Sequence, residues 1–257
     1  MKALDFLILA GVPLAATFLS VTFKTNFFVS TFLFYGTIGV YFSARRPQGI
    51  KRALVFSVLI SIIAFFVGDY IASRDGSWFV PTIFPVRWLG VAAFEDLFWA
   101  FVGSYAVVIF YEHFLDRARH RVIGRRLFYF AFLIAIILGG MLVFHYLDSV
   151  VLQVRYAYLL LGIFGILLPI LLFLGDHPRF VANFLKVGAY FAVVNFLHEI
   201  SSLQNDLWTF PGKHFVGWVT FLDYKFPFEE LFFFILLAGV MVLAFLEYFD
   251  DDRHVRG

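Results

Sequence analysis

Leu127 to Tyr146 reads Leu-Phe-Tyr-Phe-Ala-Phe-Leu-Ile-Ala-Ile-Ile-Leu-Gly-Gly-Met-Leu-Val-Phe-His-Tyr, twenty residues without an Asp, Glu, Lys or Arg. A helix of about 20 apolar residues covers the hydrocarbon of a bilayer. Arg121, Arg125 and Arg126 stand just before it. Outward from this run the same pattern repeats, and spans are expected at 4–23, 27–43, 53–72, 91–113, 127–146, 156–174, 184–203 and 228–249. The expected fold is all-α and polytopic, with about eight transmembrane helices. The second span is short and the turn around Lys24 and Asn26 is tight, so a seven-helix arrangement with a re-entrant second span is the alternative. Met1 to Ser20 has no Ala-x-Ala cleavage pattern and no strongly basic start, and reads as the first span, not a leader.

Composition agrees. Of 257 residues, 62% are hydrophobic and 15% charged, against roughly 45–50% and 25% in soluble domains. Such a surface faces lipid. There is no Cys, which excludes disulfides and thiolate chemistry. Net charge is +2 and the bases are scattered over short loops, so no nucleic-acid footprint exists. The 38 Phe residues either fill gaps between helices or line a slot for a long apolar ligand.

Charge sets the expected orientation. With both termini cytoplasmic, that side holds Lys2, Arg45, Arg46, Lys51, Arg52, Arg117, Arg119, Arg121, Arg125, Arg126, Arg179, Lys186, Arg253 and Arg256, or 14 of the 20 bases. The bias follows the positive-inside rule, and the expected location is a cell membrane.

The halves resemble each other. Phe94-Glu95-Asp96-Leu97-Phe98 matches Phe228-Glu229-Glu230-Leu231-Phe232 at a spacing of 134. At that spacing Asp116 meets Asp250, and Arg119-His120 meets Arg253-His254; Trp78 to Pro81 matches Trp208 to Pro211 at 130. Two four-helix repeats are expected, 1–120 and 121–257. Because four crossings return the chain to its starting side, they are expected to be parallel.

Both matched motifs begin a helix with adjacent acids. Pro227 suits a helix start because its missing N–H is not needed there, and exposed N–H groups favour nearby negative charge. One acid suffices as a cap; two, about 100° apart around the helix, leave one for the interior or the headgroups. A carboxyl near hydrocarbon is costly unless paired, hydrated or protonated. Glu229, Glu95 and Glu230 are therefore candidate acids, with Asp96 behind them; capping plus a salt bridge to Arg87 or Lys225 is the plain alternative. Near the outer end of the seventh span, Asn195 and Glu199 share a face, and His198 either orients a carboxylate, shuttles a proton or is a satisfied core histidine. Asp69 lies at a similar depth.

Metal and cofactor signals are absent: no His-Glu-x-x-His, no Walker loop and no Gly-x-Gly-x-x-Gly occurs. Loop aromatics including Trp78, Trp88, Trp208, Phe210 and Trp218 read as an interfacial belt or as a wall that stabilises a cation.

Pro227-Phe228-Glu229-Glu230-Leu231-Phe232-Phe233-Phe234 resembles the Pro-x-Glu-Glu-x-x-Phe-Phe signature of the membrane lycopene cyclases of the heterodimeric bacterial and fused archaeal and fungal type. His198-Glu199 and Leu207-Trp208-Thr209-Phe210 support the resemblance. In the first half Ala93 replaces the proline and Asp96 the second glutamate. The resemblance implies cyclisation of the ψ ends of an acyclic carotenoid to β-type rings, a non-redox isomerisation without a cofactor. A carboxylic acid protonates the terminal double bond, a neighbouring alkene closes the ring, and a base removes a ring proton. It implies Glu229 as leading acid with Glu95 as its partner, Glu230 and Glu199 tuning it or receiving the final proton, and His198 orienting one of them. Phe94, Phe228, Trp78, Trp208 and Phe210 would hold a substrate that enters from the bilayer. The alternatives are a carotenoid hydratase, which needs a positioned water, a small transporter, and a non-enzymatic scaffold.

Overall fold

The computed structural model describes residues 3–116 and 126–249. Lys2, Arg117, Arg119, Arg121, Arg125, Arg253 and Arg256, the expected repeat boundary at 120/121, and the matches of Asp116 with Asp250 and of Arg119-His120 with Arg253-His254 fall wholly or partly outside these residues.

Among the described residues, eight helices are long and apolar enough to cross a membrane: α1 Leu4–Phe23, α2 Phe27–Arg45, α3 Pro47–Arg74, α4 Phe94–Leu115, α5 Arg126–Leu147, α6 Ala157–Asp176, α7 Pro178–Gln204 and α8 Glu230–Tyr248. The second is one continuous helix. Asn26 starts it by accepting the Val29 N–H on its side chain, at 3.0 Å, which satisfies one of the first turn's free donors.

Two helices begin several residues before their expected starts, for one reason. Arg46 and His177 are non-helical (φ −141° and −132°), and the prolines after them open short 3-10 turns that run directly into α3 and α7. Pro fits a first turn, where no N–H is needed. Lys51 and Arg52 consequently lie on α3, not in a loop. Arg52 is buried and donates to Glu112 Oε1 of α4 at 2.6 Å.

The all-helical expectation misses two small hairpins. β1 (Arg87–Trp88) pairs antiparallel with β2 (Ala92–Ala93), and β3 (Trp218–Phe221) with β4 (Tyr224–Pro227). The turn residues Leu89-Gly90 and Leu222-Asp223 all have positive φ, 47° and 74°, then 47° and 69°. Leu222-Asp223 is a two-residue loop between Phe221 and Tyr224, where this geometry matches strand twist, whereas three residues, Leu89-Gly90-Val91, join Trp88 to Ala92. β2 and β4 each run straight into an acidic helix start, so α4 begins at Phe94 and not near Val91.

The helices pack in matching pairs. α3 lies along α4 and α7 along α8; α2 packs on α4 and α6 on α8; α1 contacts α7 while α5 contacts α3; and α4 meets α8 at the centre. α1 and α5 stay outermost and expose Phe6, Leu7, Phe18, Phe128, Phe132 and Ile136. In water this surface would be costly; against lipid tails it is not.

Loop detail repeats too. Ser77 N–H donates to Ala72 O, and Leu207 N–H to Ser202 O, both at 2.9 Å. Phe79 and Thr209 then pair with each other, with N–H···O distances of 3.0 and 2.8 Å. Beside this bridge the Trp78 and Trp208 rings lie 5.2 Å apart.

Candidate functional site

Four carboxyl groups surround the two tryptophans, all on the side of the bundle where α3 and α7 end and α4 and α8 begin. Asp69 and Glu199 lie five residues before the ends of their helices, about 7–8 Å inside at 1.5 Å per residue. Asp96 and Glu230 come from the first turn of α4 and the first residue of α8.

In the second half, Glu199 and Glu230 lie within electrostatic reach of each other, 3% and 6% exposed. Their donors are neutral. The Trp208 indole N–H points at both Glu199 oxygens, 3.2 and 3.1 Å away, and the Tyr158 hydroxyl donates to Glu230 Oε2 at 2.5 Å. Tyr158 stacks on Phe234 at 4.6 Å between ring centres, which fixes its ring.

In the first half, Asp69 and Asp96 lie within hydrogen-bonding distance of each other, while Asp69 Oδ2 and Asp96 Oδ1 receive no donor from any other described residue. Two carboxyls hydrogen-bond only if one carries a proton. The Trp78 indole donates to Asp96 Oδ2 at 3.3 Å. Arg87 lies within electrostatic reach of both aspartates; it donates to Val80 O and Val91 O at 2.6 and 2.9 Å and sits over the Phe79 ring. The two pairs are neighbours, since the Tyr158 hydroxyl lies in the field of both Glu230 and Asp69.

Glu95 and Glu229 are placed differently. Both are fully buried, and each uses one oxygen to hold the loop ahead of its hairpin. Glu95 Oε1 accepts the Ile83 and Phe84 N–H groups at 2.6 and 3.0 Å; Glu229 Oε1 accepts the Val216 N–H at 2.6 Å. Their second oxygens have no donor among the described residues. Neither is bridged to Arg87 or Lys225: Arg87 holds carbonyls, and Lys225 sits over the Trp218 ring, 4.8 Å from its centre.

A polar set supports the Glu pair. The first turns of α8, Glu230–Leu237, are π-helical, and a π turn disturbs the regular pairing of carbonyls. The Asn195 amide donates to the Phe234 and Ile235 carbonyls at 3.3 and 3.0 Å. Asn195 Oδ1 accepts from Tyr35 of α2 at 2.9 Å, and the same hydroxyl lies 3.4 Å from His198 Nδ1. His198 is buried against Phe34 and Trp208, 4.9 and 5.1 Å between ring centres.

Of the expected substrate-holding aromatics, Trp78, Trp208 and Phe210 are buried at this centre. Phe210 packs edge-on to Tyr158. Phe94 packs on Phe65 of α3, beside the Asp pair. Phe228 is 45% exposed and stacks on Phe232, so it faces outward. Tyr35 and Tyr158 carry no local sequence signal: each is one hydroxyl in an apolar span, and its partner lies on another helix. A cleft lined by Arg126, Phe173, Asp176 and Phe249 lies at the opposite ends of the helices and touches none of these acids.

Chemically, the centre offers carboxyl pairs with neutral donors, a buried imidazole, and flat aromatic walls, about 7–8 Å inside the helix ends. No protein-family model, curated protein or solved structure matches this chain.

Proposed function

We propose that the chain is a membrane cyclase of an acyclic polyene, acting by protonation and closing β-type rings at the ψ ends of a carotenoid such as lycopene. The observation that carries this reading is the Glu199–Glu230 pair, two neighbouring carboxyls whose close contacts are an indole and a phenol. Two like charges facing each other in a buried site are costly, and a proton on one of them removes that cost, giving one acid beside its conjugate base. That is the reagent needed to protonate an unactivated alkene. No electron leaves the substrate, so no redox partner enters the scheme.

The order of events follows from the substrate. The O–H proton of Glu230 goes to the terminal carbon–carbon double bond. The cation formed is attacked by the alkene six atoms along, and a ring proton then departs. Trp78, Trp208 and Phe210 present ring faces that stabilise a passing cation, and burial keeps water from capturing it as an alcohol. Glu230 takes the acid role here in preference to Glu229, because Glu229 already holds the Val216 N–H. An apolar substrate reaches the site laterally from the bilayer.

The proposal extends to architecture. We read the chain as two parallel four-helix repeats, 1–120 and 121–257, with both termini cytoplasmic in a multi-pass arrangement. In support, helix contacts, loop hydrogen bonds and hairpins recur at spacings of 130 to 134, and the bridge joins Phe79 to Thr209, its own counterpart at 130. A two-fold axis passing through this bridge would produce such self-pairing.

The test is expression in a lycopene-accumulating bacterium, with pigments separated and weighed by mass spectrometry. The expected result is a shorter-wavelength product of unchanged mass. A product heavier by one water identifies a hydratase. Unchanged lycopene with the protein in the membrane removes the cyclase reading for that substrate.

A further inference from the structure

Resting on the cyclase reading, we propose that His198 Nε2 is the base that takes the ring proton in the last step. The argument is a chain of hydrogen bonds that leaves each member one choice. The Phe234 and Ile235 carbonyls accept, so the group of Asn195 facing them is its NH₂. Asn195 therefore presents its oxygen to Tyr35, and the Tyr35 hydroxyl spends its only proton there, at 2.9 Å. The remaining contact, Tyr35 to His198 Nδ1 at 3.4 Å, is then a hydrogen bond only if Nδ1 carries the proton and the phenol oxygen accepts it. A neutral imidazole with its proton on Nδ1 has a bare lone pair on Nε2.

That atom is buried and meets no donor among the described residues. A lone pair left so costs stability unless something else uses it. Its ring lies beside Trp208, whose N–H holds Glu199, and Tyr35 lies in the field of both Glu199 and Glu230. The imidazole is thus one side chain removed from the acid pair. Cyclisation needs acid and base within reach of one ring, because the carbon that gains the proton and the carbon that loses one are both bonded to the carbon that first carries the cation.

The balance closes. The Glu230 O–H bond breaks, a C–H bond forms at the inner carbon of the terminal double bond, and the cation is left on the outer, dimethyl-substituted carbon. After ring closure, one ring C–H bond breaks, its electron pair becomes the ring double bond, and the proton binds Nε2. Transfer back to the Glu199–Glu230 pair restores the starting state, and the product is an isomer of the substrate.

Two measurements on the full-length protein in lipid nanodiscs test this. The first is nitrogen NMR with ¹⁵N-histidine, assigned by His198→Gln. A protonated Nδ1 and bare Nε2 are expected in wild type, and Tyr35→Phe should shift the balance toward protonated Nε2. A protonated Nε2 in wild type overturns the inference whatever the activity. The second is pigment analysis of His198→Gln at matched membrane level. Ring formation should fall by about 100-fold or more, with the residual product enriched in water-captured alcohol or in rings with a displaced double bond. Unchanged yield and ring type would overturn the base assignment. Failure of the cyclase reading itself looks different: wild type then forms no ring.

Discussion

The surroundings of Glu199–Glu230 and of Asp69–Asp96 correspond position by position, yet they are equipped for different work. At a spacing of 130, Tyr158, Asn195 and His198 fall on Phe28, Phe65 and Gly68. The Glu pair therefore has a phenol donor, an amide that fixes a hydrogen-bond chain, and an imidazole. The Asp pair has two phenyl rings and a bare backbone in the same places, and Phe28 packs against Phe84 and Phe98, 5.5 and 5.1 Å between ring centres. What the first half adds is a cation, Arg87. An acid pair that must release a proton works best without a fixed positive charge beside it, while an anion inside a membrane needs one. On the proposed reading, the second half carries the proton chemistry. The first half contributes Tyr35, the Trp78 face and a second, charge-compensated pair.

The largest effect that would sharpen this contrast is a matched pair of substitutions. Glu230→Gln keeps the shape but has no acidic proton, and ring formation should fall by about 10²–10⁴. Asp96→Asn should lose no more than about tenfold, because it disturbs only the wall of the site. Product yield per unit of membrane protein is the readout. Equal losses would erase the functional distinction between the halves.

Some of this was legible in the sequence. The spans were, because hydropathy over twenty residues is a strong signal, and all eight helices lie where apolar runs stand. The acidic helix starts were as well, since two carboxyls opening an apolar run is conspicuous. What could not be read was which acid points where. Glu229 and Glu230 are adjacent, and only the path of the loop decides that Glu229 takes the Val216 N–H while Glu230 turns inward to Tyr158. Tyr35 and Asn195 meet across 160 residues, and neither carries a mark of that meeting. The hairpins were hidden for a different reason: Leu89 and Leu222 have positive φ, where turn chemistry predicts Gly or Asn.

Next in size is the phenol. Tyr158→Phe makes the second half resemble the first and removes the donor to Glu230. A hydrogen bond to a charged or proton-sharing group contributes about 1.5–3 kcal/mol, so a drop of about tenfold or more in ring formation is expected, with folding intact because the stack on Phe234 remains. The converse change, Phe28→Tyr, should gain nothing. A gain there would mean that the Asp pair is an acid waiting for its donor.

Glu229→Gln and Glu95→Gln come third, and they decide between the two reasonable acids. A glutamine keeps an oxygen for the loop N–H groups, so each should retain most ring formation, while Glu229→Ala and Glu95→Ala free the loops and should lose several-fold. Glu95 holds two N–H groups and Glu229 one, so the loss should be greater at Glu95. If Glu229→Gln abolishes cyclisation and Glu230→Gln does not, Glu229 is the acid and the loop contact is incidental.

The smallest effect concerns the turns. The first hairpin places Gly90 at its second turn position and the second places Asp223 there, with φ of 74° and 69°. A left-handed conformation costs an ordinary L residue about 1–2 kcal/mol, less for Asp, which visits it more readily. Asp223→Gly should therefore stabilise the second hairpin by a few tenths to about 1 kcal/mol, and Gly90→Asp should destabilise the first by a similar amount. Thermal unfolding in detergent measures both. Opposite signs are required if the two turns are one design with different residues. Equal signs would mean that Asp223 makes a contact of its own, and that the hairpins have diverged in role as well as in sequence.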